Sequence, residues 1–415
     1  MAIVKPFKGF RPKKEIAKLV ASRPYDVLNS DEAREEVKNN PHSFLHVVKP
    51  EVDLPPDIDL HSMPVYHKAK ETLTGLINSG VFKQDHSECY YIYAQTMNNK
   101  TQYGICACAS VEDYENGIIR KHELTRPDKE EDRMNHIRVT SFNCEPVFFA
   151  FPDHPEIDRI IHDTIHSEPE YDFFLDDGVG HHLWVISDSN TVNTITRIFK
   201  EDIPYTYVAD GHHRTAAAAH VGLERKQNNP GHTGKEEYNF FMAVHFPASQ
   251  LSIIDYNRLV KDLNGYSNIE FLDTLHKNFI VENMGKEIYK PDRYHNFSLY
   301  LDGTWYSLTP ENKCINDSDP IGCLDVTLLS ELVLDPVLNI KDLRKSNRID
   351  FVGGIRGLEE LKRRVDSGEM KAAFALYPVS MEQLIKIADT GNIMPPKTTW
   401  FEPKLRSGLV IHSLI

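Results

Sequence analysis

The segment Tyr207-Val208-Ala209-Asp210-Gly211-His212-His213-Arg214-Thr215-Ala216-Ala217 runs from strand-forming residues through a glycine into an alanine-rich stretch. A strand that turns directly into a helix leaves the first helical N–H groups free and presents the positive end of the helix dipole. Together these make an anion site. Gly211 lets the backbone approach a phosphate closely. His212, His213 and Arg214 add donors, and an arginine can grip a phosphate with two parallel hydrogen bonds. Asp210, at the carboxyl end of the strand, can bind magnesium or accept a proton from an attacking hydroxyl. A plain Asp-Gly turn with a polar helix start would be an ordinary cap. Two histidines and an arginine in the next three positions exceed what a cap needs. Adjacent helical residues diverge, so the His-His pair is a poor set of ligands for one metal ion.

Other groups can be read in the same way. His122-Glu123-Leu124-Thr125 sets a carboxylate between a ring nitrogen and a hydroxyl, and Asp132-Arg133 follows shortly after. If this segment folds against the glycine turn, Glu123 can serve as the general base. The alternative is a surface salt-bridge cluster, because Arg120, Lys121, Arg126, Asp128, Lys129, Glu130 and Glu131 surround it. Lys397 and Lys404 bracket Thr398, Thr399 and Phe401 after Pro395-Pro396, which suits phosphate binding or simply a proline-rich loop that packs its aromatics inward. His162, His166, His181 and His182 stand among several aspartates without an H-E-x-x-H frame, and a solvated acidic loop is the expectation there.

The elements that must position these groups alternate along the whole chain, so the expected fold class is α/β with a mixed sheet. Asn29 and Glu32 form a capping-box-like start for a helix over 30–38. A short apolar strand is expected over 44–48, and Ala69, Leu73, Leu76 and Ile77 mark a helix stopped by Gly80. Strands are expected over 90–97 and 103–111 with a polar turn at 98–101, then over 205–209, 240–246 and 372–377. A helix over 215–220 should end near Gly222, and another ends at Gly368. Asp302-Gly303 reads as a hairpin turn and Ser380 with Gln383 as a helix cap. Residues 168–177 and 225–237 read as exposed loops.

The chain has 415 residues, with 47 Lys plus Arg against 61 Asp plus Glu, a net charge of −14. So acidic a chain repels phosphate backbones, which argues against nucleic acid as a partner. Hydrophobic residues at 40% and charged residues at 26% describe a globular protein, not a disordered one. No stretch has the ~20 apolar residues of a membrane span, and no secretory signal is visible. The six cysteines contain no C-x-x-C pair, and Cys106 and Cys108 read as core residues on one side of a strand. A reducing cytoplasmic setting is the expectation.

The string Ala209-Asp210-Gly211-His212-His213-Arg214 resembles the signature of a large prokaryotic family of unknown-function proteins. That family is similar to the ParB/sulfiredoxin-like nucleotide-binding superfamily, which includes free serine kinases. Further segments carry the resemblance in order: Lys5-Pro6-Phe7-Lys8-Gly9-Phe10-Arg11-Pro12, Pro24-Tyr25-Asp26-Val27, His122-Glu123-Leu124-Thr125, Asp132-Arg133, and the stretch from Met394 through Lys404 to Leu409. The resemblance implies a ParB/sulfiredoxin-like core within 1–260 and a C-terminal α/β subdomain over 261–415, whose loop 394–408 returns to the site. It implies a kinase of a free amino acid, L-serine foremost, with ATP or ADP as donor and Mg²⁺ at Asp210. Catalysis would fall to Glu123 and Asp210. Gly211, His212, His213, Arg214, Lys397 and Thr398 would hold phosphates, with His122, Thr125, Arg133 and Arg258 in support, in a chain that could pair as a homodimer.

The chain departs from the family pattern where Ile253-Ile254-Asp255-Tyr256-Asn257-Arg258 keeps an arginine but has asparagine in place of histidine. Thr398 replaces a usual serine, and Thr215 a usual aromatic. The rival readings are a nucleotide-binding switch without kinase activity and a metal-dependent hydrolase built on the His- and Asp-rich middle. A sulfiredoxin-like reductase is disfavoured, because no cysteine of this chain lies beside the His-Arg motif. Neither a Walker-type phosphate loop nor protein-kinase D-F-G and H-R-D strings occur.

Overall fold

A computed structural model describes all 415 residues. Two compact units emerge, residues 1–251 with 403–415, and residues 252–402. The division expected from the sequence falls at 260/261. Tyr256–Val260 instead pairs inside the second unit's sheet, and the C-terminal segment is part of the first unit.

The first unit is built on a nine-stranded mixed sheet. Its order is Ile119–Arg120, Thr206–Asp210, Val147–Phe151, Phe240–Pro247, Lys100–Ser110, Tyr90–Met97, Gly180–Ile186 and Tyr171–Phe174, with Val4–Lys5 paired to Lys100–Ser110. Thr206–Asp210 runs parallel to Ile119–Arg120 and antiparallel to Val147–Phe151. Phe149 and Phe151 are two residues apart on one strand and so share a face. Phe149 packs with Val208, Ala216, Ala217 and Phe241, while Phe151 packs with Ile157, Ile195, Ile198 and Phe199. That face therefore carries the helix His212–Asn228 at one end and the helices Pro155–Ile165 and Ser189–Glu201 further along. Burying each phenylalanine fully contributes roughly 1.5–3 kcal/mol. Four buried alanines in a row, Ala216 to Ala219, let the first of these helices sit close to the sheet.

Several local expectations hold. The capping boxes at Asn29/Glu32 and Ser380/Gln383 are both formed. Asp302 and Gly303 take φ of 50° and 75° in a two-residue hairpin turn. Cys106 and Cys108 are buried, and no cysteine is disulfide-bonded.

Others are corrected. Residues 45–48 form a helical turn, Leu45–Val48, not a strand. A short apolar run buried all round fits either state, and Pro50 opens a further helical turn there. The first hairpin turns at Asn98-Asn99 alone, with φ of 51° and 61°, so its second strand begins at Lys100. Asparagine tolerates that left-handed backbone. The stretch 168–177 contains the edge strand Tyr171–Phe174, anchored by the buried Tyr171, whose hydroxyl donates to the Pro12 carbonyl at 2.5 Å. Arg225 likewise lies in a helix and not in the expected loop, because that helix runs His212–Asn228 through Gly222. A Cβ at 222 would stand 2.4 Å from the Tyr238 carbonyl oxygen, so this glycine serves a close approach and is no stop.

The second unit has a six-stranded antiparallel sheet in the order Phe279–Gly285, Thr304–Pro310, Phe297–Leu301, Ala372–Ala375, Tyr256–Val260 and Ile349–Gly353. Its core gathers Leu259, Tyr300, Trp305 and Leu361. No helix in either unit is long and apolar enough to cross a membrane.

Candidate functional site

Thr206–Asp210 is buried up to its last residue, and the chain then turns at Gly211 with φ of 91°. The first intrahelical bond runs from the Thr215 N–H to the Gly211 carbonyl at 2.9 Å, so the N–H groups of His212, His213 and Arg214 precede it. Arg214 folds back over the turn. A Cβ at position 211 would meet its guanidinium at 3.1–3.2 Å, so close approach and backbone both require glycine. The guanidinium donates to the Pro146 carbonyl at 2.6 Å and lies 3.4 Å from the Asp210 carboxylate, while its buried Nε has no partner.

Asp210 keeps about a third of its side chain exposed (32%), with Lys404 Nζ 3.4 Å from its other oxygen. Burial alone would push this carboxyl up, but Lys404 and Arg214 outweigh it and hold it below the ordinary carboxylate value. Arg214 is itself held more firmly charged despite its burial, by Asp26, Glu145 and Asp210.

His122 and His212 meet edge to face with ring centres 4.5 Å apart, and Glu123 lies 3.8 Å from His212 Nδ1. Burial pushes His122 down to about 4, against the pull of Asp210. Burial and the neighbouring rings push His212 well below its usual value, and its buried Nε2 has no partner. His213 accepts a hydrogen bond from the Arg126 N–H at 3.0 Å and is also pushed down, chiefly by burial. All three rings are therefore neutral near pH 7. The cationic charge at the turn comes from Arg214 and Lys404.

The segment carrying Glu123 thus does reach the glycine turn. Thr125 behaves otherwise, since its hydroxyl donates to Glu130. Arg133 is buried, bonded to Asp132 at 2.7 and 2.9 Å, 3.5 Å from Glu145 and stacked over Tyr25 at 3.9 Å. Arg258, Lys397 and Thr398 come together in the second unit. Arg258 is wholly buried and donates to the Tyr256 carbonyl and, at 3.0 Å, to the Lys397 carbonyl. Lys397 is left-handed, with φ of 61° and its ammonium 5.5 Å from the Tyr256 ring centre. Thr398 donates its hydroxyl to the Pro395 carbonyl at 2.6 Å. Asn257 is buried and structural, bonded to Asp255 and to the Leu376 N–H.

Sequence reasoning gave no role to Asp26 or Glu145, both of which act on Arg214. They come from segments far from the Gly211 turn, and no spacing rule joins them. The residues present do not make a magnesium site of their own. Asp210 offers one carboxylate already flanked by two cations, and no group of three or more His, Cys, Asp or Glu side chains is placed to hold an ion.

Fold and site together describe a mixed α/β protein in which a strand turns through Gly211 into a helix beneath a buried guanidinium. Residues 4–327 match the model of the family described as proteins of unknown function, DUF1015, and the chain belongs to that family. No curated protein matches it. Among solved structures, it is similar to a free serine kinase variant in complex with AMP, at 12% identity over 76% of this chain and 88% of that one, with a TM-score of 0.35. It is similar to a conserved hypothetical protein from Pyrococcus furiosus at 13% identity, over 74% and 94% of the two chains, with a TM-score of 0.34. SbnI from Staphylococcus aureus, truncated at its C-terminus, gives 12% identity over 72% and 82%, with a TM-score of 0.32.

Proposed function

We propose that this chain binds a nucleotide by its phosphates at the Gly211 turn and transfers a phosphoryl group to the hydroxyl of a small molecule. L-serine is the leading acceptor by sequence resemblance, and ATP or ADP the donor. The resemblance also supports a ParB/sulfiredoxin-like core for the first unit.

One observation carries the reading: a buried guanidinium folded over a glycine turn, beside the free N–H groups of a seventeen-residue helix and a second cation on Asp210. In this reading the N–H groups of residues 212–214, Arg214 and Lys404 hold the phosphate oxygens. Asp210, kept ionised by its two cations, orients Lys404 and Arg214 and is a weak proton acceptor. Glu123, 40% exposed beside a neutral histidine, takes the acceptor's proton. As the new oxygen–phosphorus bond forms, the bond to the bridging oxygen breaks, and its electron pair leaves with the shortened nucleotide. No step runs through a metal held by the protein.

The test is ³¹P NMR of the protein with ATP or ADP, Mg²⁺ and L-serine against a serine-free control. A serine-dependent phosphomonoester signal is expected. Asp210→Asn and Arg214→Ala should each lower the rate at least ~100-fold, the scale of losing a charge-stabilising group. Nucleotide turnover without the phosphomonoester would replace this reading with a nucleotide-hydrolysing switch. Near-normal rates in both variants would remove the site assignment.

A further inference from the structure

A cavity of about 320 Å³ lies in the first unit, walled by Tyr25, Asp26, Leu28, Lys129, Asp132 and Arg133. That volume falls within the range of small-molecule sites. Most charges on its walls are already matched. Asp132 accepts from Arg133, from the Tyr66 hydroxyl at 2.9 Å and from His61, and Lys49 pairs with Glu51 at 2.9 Å. The Asp26 carboxylate and the Lys129 ammonium are different, for neither has an ion-pair or hydrogen-bond partner on its side chain, although both line the cavity.

Asp26 also belongs to the phosphate site. Its charge is the foremost of those that keep Arg214 protonated, and it acts on His213 as well. Arg133 and His136 line both this cavity and a smaller one that Arg214 and Glu145 also line, so the cavity neighbours the Arg214 side of the turn. A polyphosphate fits the cavity poorly, since Asp26, Glu51 and Asp132 balance Lys49, Lys129 and Arg133 there and leave no excess of positive charge. A molecule with one positive and one negative group can bond to Asp26 and Lys129, the two among these charged side chains without a bonded partner.

We propose that this cavity is the acceptor subsite and that it selects a zwitterionic α-amino acid, with Asp26 taking the ammonium and Lys129 the carboxylate. The proposal rests on the phosphotransferase reading for the word acceptor, whereas the binding itself can be measured without any turnover.

The experiment is ligand-observed NMR on the full chain without nucleotide. The ligands are L-serine, L-threonine and L-homoserine, with N-acetyl-L-serine and L-serine methyl ester as forms lacking one charge. At least one free amino acid should bind, and each neutralised form should bind at least ~10-fold more weakly, as expected for loss of one charge-assisted hydrogen bond. Asp26→Asn should lose the discrimination against the N-acetyl form, and Lys129→Ala that against the ester. Asp26 is exposed and Lys129 half-buried, and neither belongs to the buried core, so both variants should fold. ATP and ADP binding, followed by equilibrium dialysis, should change less than ~3-fold in Lys129→Ala. The proposal is overturned if no free amino acid binds, if the neutralised forms bind as tightly, or if both variants keep wild-type selectivity. Amino-acid binding with the expected selectivity but no phosphomonoester would remove the phosphotransferase reading and leave the pocket assignment standing.

Discussion

Arg214 and Arg258 are both buried guanidiniums, one in each unit, and the chain surrounds them in opposite ways. Arg214, 6% exposed, has Asp26, Glu145 and Asp210 acting on it and is held charged. Arg258, 0% exposed, has two backbone carbonyls, the Phe351 ring 5.5 Å away and an Nε without a partner. Burial pushes Arg258 down to about 10, and no carboxylate opposes it. The difference separates two uses of one side chain. A cation ringed by carboxylates stays charged and fixed before any ligand arrives, as a preorganised anion site requires. A cation given only carbonyls acts as a clamp, here tying the Lys397 bend to the strand Tyr256–Val260.

The largest expected contrast between the units is their response to acid. The first unit buries six histidines, all pushed down chiefly by burial: His122, His136 and His245 to about 4, His181 to about 3, and His212 and His412 also below the usual value. A histidine whose folded value is depressed stabilises the fold above the unfolded value near 6.5, and that stability drains away as pH falls toward the folded value. A drop from 6.5 to about 4 is worth roughly 3 kcal/mol per ring at full titration. In the second unit, burial raises the Asp325 carboxyl, which has the opposite sign: its contribution is fully present at low pH and is lost as pH rises. Hydrogen exchange at pH 7 and pH 5, corrected for intrinsic rates, should show peptides from 1–251 losing protection while those from 252–402 keep theirs. Equal loss in both would break the comparison.

Next in size is the effect of removing each arginine. Arg214→Met leaves Glu145, whose carboxyl burial already raises, without one of its two cations. Stranding a buried charge outright costs about 3–5 kcal/mol, and with Arg133 still 3.5 Å from Glu145 the loss should approach the lower end of that range. Arg258→Met gives up two hydrogen bonds to carbonyls, worth about 1 kcal/mol each, but also removes an unmatched buried charge. The net change should stay within about 1 kcal/mol. Urea midpoints at pH 7 measure both, and equal losses would mean that carboxylate partners are not what distinguishes the two sites.

Which half of this comparison the sequence announces follows from distance along the chain. The strand–glycine–helix turn, the capping boxes and the Asp302-Gly303 hairpin each depend on neighbours within a few positions, and all are visible in the residue types. The partners of Arg214 are not. Asp26 and Glu145 come from other segments, and Lys404 reaches Asp210 across 194 positions. Gly222 misled for a related reason: its role is to admit the Tyr238 carbonyl, a tertiary contact that reads locally as a helix stop. Thr398 and Lys397 suit phosphate by type, but residue type does not announce that the threonine hydroxyl donates to the Pro395 carbonyl.

The smallest change that should still separate the units is a single methyl group. Gly211→Ala places a Cβ at φ of 91° and within 3.1–3.2 Å of the Arg214 guanidinium, so backbone and side chain must both give way. The left-handed backbone alone costs of order 1–3 kcal/mol. Gly303→Ala, at φ of 75° in the second unit's hairpin, carries a similar backbone penalty but meets open space. Both variants should therefore show comparable falls in the urea midpoint. Only Gly211→Ala should also displace Arg214 and weaken phosphate binding, followed by ³¹P line broadening of added ADP. If Gly303→Ala weakened ADP binding equally, the effect would be general destabilisation, and the guanidinium folded over the turn would not be the anion-binding element.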